Sequence, residues 1–108
     1  MLENSTLGQR ELRRQVLDLL LQHAPPLQQQ LQASAGTFQH DSLRAIAHRL
    51  CGSASTIGAR HWESTLREVE RRVEQRRTTA DVIEAVEASA VAGEAVFSMA
   101  RELLSSSA

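Results

Sequence analysis

The chain has 108 residues, of which 42% are hydrophobic and 23% charged. That suits one globular domain with a single core and leaves no length for a second. Three aromatics and two prolines argue against a β-sandwich. Twelve arginines interleave with thirteen acidic residues to a net charge of −1, which excludes the basic footprint of a nucleic-acid binder.

Cys51 is the single cysteine, so no internal disulfide can form and a reducing compartment is expected. The first residues lack the charged-then-apolar pattern of a signal peptide. The longest apolar stretch, around Val16 to Leu21, is broken by Asp18 and too short to span a bilayer. A cytoplasmic location is the expectation.

The first periodic segment carries Leu12, Val16, Leu19, Leu20 and His23 at helical spacing, with Arg13, Arg14 and Asp18 opposite, and predicts a helix over about residues 8–23. Ala24-Pro25-Pro26 predicts a break or a fresh helix start, because proline suits a first turn and disrupts an interior. Leu27 and Leu31 continue the apolar stripe to Ala35. Gly36 to His40 then reads as a loop, and Asp41 as the N-cap of the next helix. Gly58 is placed to end that helix in the left-handed conformation.

Trp62, Leu66, Val69 and Val73 form the buried stripe of a third helix, whose outer face carries the i,i+4 pairs Glu63/Arg67 and Glu68/Arg72. Residues 76–79 interrupt the pattern, and Thr78 with Asp81 signals the start of a last helix. Val82, Val86, Ala90, Gly93, Phe97, Ala100 and Leu104 give its buried stripe, with fraying expected from Ser105 to Ala108. Ala85, Ala92 and Gly93 permit close helix approach. The expected fold is all-α, an antiparallel up-down-up-down four-helix bundle in one domain over 1–108, with an extra short N-terminal helix or a break at Pro25-Pro26.

The central helix carries the chemistry. At about 100° per residue, Leu43, Ile46, Ala47, Leu50, Ala54 and Ile57 gather on the core side, and His48 points more than about 90° away from them. Arg44, Cys51, Gly52 and Ser55 fall within about 60° of His48. Glycine inside a helix costs about 1 kcal/mol against alanine, and at Gly52 its use is to let another molecule approach the imidazole. An exposed, uncharged imidazole is a competent nucleophile at neutral pH. The chain has no phosphate-binding glycine loop, no paired-carboxylate site and no triad, so a partner must bring the reactive group. His48 and Cys51 at i,i+3 would be two metal ligands without company, which is a poor metal site. His23, His40 and His61 have no constellation around them.

The run His48-Arg49-Leu50-Cys51-Gly52-Ser53-Ala54-Ser55-Thr56-Ile57-Gly58-Ala59 resembles the signature of histidine-containing phosphotransfer (HPt) domains, H-x-L-K-G-S/A-S/A-x-x-hydrophobic-G-A. The likeness extends to domain size, the four-helix layout and the upstream Ala-Pro segment. It implies a phosphorelay intermediate in which His48 accepts a phosphoryl group from the aspartyl phosphate of one receiver domain and passes it to the aspartate of another. It also implies that the receivers hold the Mg²⁺, that this domain binds no cofactor and that it is monomeric when isolated. The module would be either free or the C-terminal domain of a hybrid sensor histidine kinase, without an ATP-binding motif of its own.

Two positions depart from the family pattern. Cys51 stands where the family usually has lysine, and the chain contains no lysine anywhere. Arg44, one turn before His48, is the candidate replacement charge, with Arg49 less well directed. Such a charge about 4 Å away is worth at most about 4 kcal/mol at an effective dielectric of 20, so its loss should slow transfer without abolishing it. Glu70 stands where the family often has glutamine, and its charge, if close, opposes a phosphoryl group. The alternative reading is a degenerate helical adaptor that docks receivers without phosphotransfer.

Overall fold

In a computed structural model, the structure describes residues 2–37 and 39–106. It is all-α: α1 spans Leu2–Thr37, α2 His40–Ile57, α3 Arg60–Glu74 and α4 Thr79–Ser106. Each helix packs on the next along the chain, and α1 also packs on α4, so the four close into a ring around one core. Leu31, Leu43, Leu50, Leu66, Val69, Val82 and Val86 are fully buried there. No described helix is long and apolar enough to cross a membrane.

The expected break at Pro25-Pro26 does not occur. α1 runs through both prolines as one helix of 36 residues. Each proline removes an i→i−4 bond and crowds the preceding turn, a cost of about 3 kcal/mol in an isolated helix. Tertiary packing offsets it: Leu20 and Ala24 on one side of the pair, and Gln28, Leu31 and Ala35 on the other, are all buried. Two anchored halves leave the segment no room to turn.

The expected loop at 36–40 is correspondingly shorter. Gly36 and Thr37 complete α1, His40 opens α2, and Phe38 lies outside the described residues. The N-cap is Gln39 in extended backbone, without a side-chain cap bond, and not Asp41. Asp41 sits in the first turn, where its carboxylate still faces the positive end of the helix.

The other two boundaries are as expected. Gly58 takes φ 73°, with its N–H on the carbonyl of Ser55 at 3.1 Å and the Ala59 N–H on that of Ala54 at 2.9 Å. The Thr78 hydroxyl accepts the Asp81 N–H at 3.1 Å and starts α4. α4 remains helical through Ser106, so fraying does not begin at Ser105; residues 107 and 108 lie outside the described residues.

Two burial expectations also change. Leu12, Leu19 and His23 of α1 are exposed, leaving Leu20 as the buried member of that stripe. Ala90 and Leu104 of α4 are half-buried, while Ala85, Ser89 and Ala92 join the core.

A polar thread crosses this core. Trp62 Nε1 donates to Gln28 Oε1 at 3.3 Å, Gln28 Nε2 donates to Ser89 Oγ at 3.0 Å, and Ser89 Oγ donates to the Val86 carbonyl at 2.6 Å. Each polar group of this thread thus finds a partner, as burial demands. Trp62 also meets Phe97 edge to face, with centroids 5.3 Å apart. Gly93 makes this possible, since a Cβ there would lie 2.9 Å from Trp62 Nε1 and 3.2 Å from Gln28 Oε1. α1, α3 and α4 are locked together beneath the remaining helix, α2.

Candidate functional site

α2 presents two unlike flanks because it packs on α3 at one side and α1 at the other. His48 stands on the ridge between them, in the middle of the helix, with its side chain 80% exposed. This is the exposure that the helical spacing predicts. One turn on, Gly52 is also exposed, and a Cβ built there would meet nothing within 4 Å. No packing inside the molecule explains this glycine, so the clearing it leaves belongs to the surface.

On the α3 flank, His48 Nδ1 lies 3.4 Å from Glu70 Oε2. Glu70 is held mostly inside the helix interface, its side chain 19% exposed. Its other oxygen, Oε1, accepts from the Cys51 thiol at 3.2 Å. One carboxylate therefore faces both residues of α2 that lie one turn apart.

Cys51 departs from the sequence expectation in its exposure. The helical spacing puts it beside His48 on the outer side, yet it is only 6% exposed. α3 covers that flank, and Cys51 Sγ also lies 4.0 Å from the Glu63 carbonyl. Burial first, then the bond to Glu70 and that residue's charge, push the thiol up from 9.0 to about 12. Cys51 is thus a neutral, poorly nucleophilic thiol and a persistent hydrogen-bond donor.

Arg44 reaches the same neighbourhood from one turn before. With Asp41, Ala45, His48 and Glu70 it lines a shallow depression, and its Nη2 pairs with Glu74 Oε1 at 3.1 Å. Ser55 is exposed, two turns beyond His48 along the same face. Three of the sequence candidates, His48, Arg44 and Cys51, are therefore gathered around Glu70. Gly52 and Ser55 lie further along α2.

The α1 flank is different. Val16, Leu19, Leu20 and His23 of α1 face Arg49, Gly52, Ser53 and Thr56 of α2 across an open, mainly apolar groove that begins one residue past His48. Arg49 makes no ion pair among the described residues. The groove was not legible in the sequence, where Leu12, Val16 and Leu19 read as one buried stripe. The signal available was the run Leu19-Leu20-Leu21, which is wider than one helix face needs.

No curated protein and no solved structure matches the chain. A family model described as Hpt domain matches residues 15–103, taking in all of α2 and α3 and most of α1 and α4. The chain therefore belongs to the Hpt domain family, the histidine phosphotransfer modules that work with receiver domains in phosphorelays.

Proposed function

We propose that His48 is the phosphoacceptor, and that it takes a phosphoryl group from the aspartyl phosphate of one receiver and returns it to the aspartate of another. The observation that carries this is the 80% exposed imidazole in mid-helix, with Nδ1 turned to Glu70 and the Nε2 edge left for a visitor. We read the helices as antiparallel, up-down-up-down, and the domain as a cytoplasmic monomer that binds no cofactor, whether free or at the C-terminal end of a hybrid sensor kinase.

The step balances without a proton leaving. The Nε2 lone pair attacks phosphorus, the P–O bond to the receiver carboxylate breaks, and that carboxylate keeps the electron pair. The hydrogen on Nδ1 stays where it is, so the product is a phosphoimidazolium whose positive ring faces the Glu70 carboxylate. On the return step the N–P bond breaks and Nε2 regains its lone pair. At 3.4 Å the Nδ1 to Glu70 contact is longer than an ordinary hydrogen bond; such contacts tighten when charge develops on the ring. Glu70 thus stabilises the ring cation at closer range than it repels the phosphoryl oxygens on the opposite nitrogen.

Phosphoryl transfer asks chiefly for positioning and for charge compensation. Mg²⁺ held on the receiver would supply most of that compensation, and Arg44 and Arg49 flank the site in place of the family lysine. The apolar groove between α1 and α2 gives the receiver a surface to dock on, next to the clearing over Gly52.

Incubation with a phosphorylated receiver tests this directly. An acid-labile, alkali-stable label should appear on the protein and be absent from His48→Gln, with the helical fold of the variant unchanged. A label that survives His48→Gln refutes the assignment, and a receiver that binds without transferring would point to an adaptor.

A further inference from the structure

Two polar side chains meet at Glu70 from the same face of α2, and only one of them takes part in the transfer described above. The Glu70 side chain has two acceptor oxygens and, when ionised, no donor. Oε1 accepts from the Cys51 thiol at 3.2 Å, and Oε2 lies 3.4 Å from His48 Nδ1. An acceptor-only neighbour at that distance suits the ring only when Nδ1 carries the hydrogen. In water a free imidazole favours the other tautomer, with the hydrogen on Nε2, which would occupy the attacking nitrogen. Selecting the tautomer therefore requires that Oε2 stay beside the ring.

A glutamate side chain that is 19% exposed still has rotamers that would carry Oε2 away from the ring. Among the described residues, Glu70 forms no ion pair with an arginine that would fix it, since Arg44 pairs with Glu74 and Arg67 with Glu63. The thiol is the hydrogen-bond donor that holds it. We infer that Cys51 is a positioning residue for phosphotransfer, anchoring one oxygen of Glu70 so that the other keeps the hydrogen of His48 on Nδ1 and leaves Nε2 free to attack. This rests on His48 being the phosphoacceptor. Because the thiol is buried and pushed up to about 12, it stays protonated and keeps donating across the physiological range.

The lysine-to-cysteine and glutamine-to-glutamate departures become one arrangement on this view. A carboxylate, unlike an amide, cannot present a donor to Nδ1, so it selects one tautomer. A small buried donor at position 51 supplies the anchor that a carboxylate, with both oxygens accepting, can use.

The test combines nitrogen-15 NMR of the His48 ring in the unphosphorylated protein with transfer rates from a phosphorylated receiver. The variants are Cys51→Ala, Cys51→Ser, Glu70→Ala and the double variant Cys51→Ala/Glu70→Ala, each checked by thermal unfolding. Cys51→Ala should lower the share of the Nδ1–H tautomer and slow transfer about three- to tenfold, while Cys51→Ser, which keeps a donor, should retain most of both. In the Glu70→Ala background, removing the thiol should add nothing. Equal behaviour of the alanine and serine variants, an undiminished thiol effect without Glu70, or an unchanged tautomer share in Cys51→Ala would each overturn the inference. Should Cys51→Ala fail to fold, Cys51→Val against Cys51→Ser gives the same comparison with the cavity filled. The tautomer readout needs no phosphoryl group. A protein that shows the tautomer effect but never labels on His48 would therefore remove the phosphoacceptor reading while leaving the hydrogen-bonded arrangement intact.

Discussion

Gly52 and Gly93 are both glycines in the middle of a helix, and each forgoes about 1 kcal/mol of helix propensity relative to alanine. Their surroundings are opposite. Gly93 lies buried under the Trp62 indole, so close that a Cβ would come within 2.9 Å of Nε1. Gly52 is exposed, with nothing inside the molecule to hit. One glycine is explained by what the chain itself packs against it; the other has no such neighbour, which fits the visitor proposed for the clearing. Sequence alone treats them alike, and the contrast separates a stability position from a contact position.

Substitution at Gly93 should have the largest effect on this comparison. Gly93→Val should lower the unfolding free energy by about 3 kcal/mol, because the branched side chain displaces the indole and breaks its bond to Gln28. Denaturant unfolding checks it, and a loss below about 1 kcal/mol would mean that the Trp62 pocket can relax. Gly52→Gln is the counterpart: transfer from a receiver should slow by about ten- to a hundredfold, or about 1.4–2.8 kcal/mol, with stability not lowered. Normal transfer by that variant would remove the role given to the clearing.

A smaller effect concerns the covered flank. The Cys51 thiol ionises at about 12 in the folded chain against 9.0 for an unhindered thiol, so the unfolded chain releases the proton first as pH rises. Stability from this residue is complete below about pH 9 and is lost progressively toward pH 12. At pH 10 the native protein should have lost about 1 kcal/mol more than Cys51→Ala relative to their values at pH 7. Parallel pH profiles would show that the thiol is not held protonated. The smallest expected change is a gain: Gly52→Ala should raise stability by up to about 1 kcal/mol, measurable as a higher melting temperature.

Much of the molecule can be read from local rules. Gly58 at a left-handed helix end, Thr78 as a cap and the Trp62-Leu66-Val69-Val73 stripe depend on near neighbours in the chain, and each is found as expected. His48 is exposed for the same reason, since it opposes the core-facing residues of its own helix. Three features depended on contacts distant in sequence. Continuity through Pro25-Pro26 comes from packing on both sides of the pair. Cys51 is about as far around the helix from His48 as Gly52 is, but on the flank that α3 covers, and no single-helix projection shows which flank that is. The approach of Glu70 to both His48 and Cys51 likewise needs α3 in place. The Hpt resemblance indicated that position 70 mattered, and the structure adds what it touches.

The two flanks of α2 also divide labour in a way that bears on how such a module can change. His48, Cys51 and Glu70 all belong to α2 and α3, whereas Val16, Leu19 and His23, on the far wall of the groove, belong to α1. With receivers docking on that wall, as proposed above, sequence drift along it retunes which visitor is welcomed without touching His48, Cys51 or Glu70. On that proposal, divergence of partners after duplication needs only surface changes on one helix, and crosstalk between copies can be reduced while the chemistry is inherited whole.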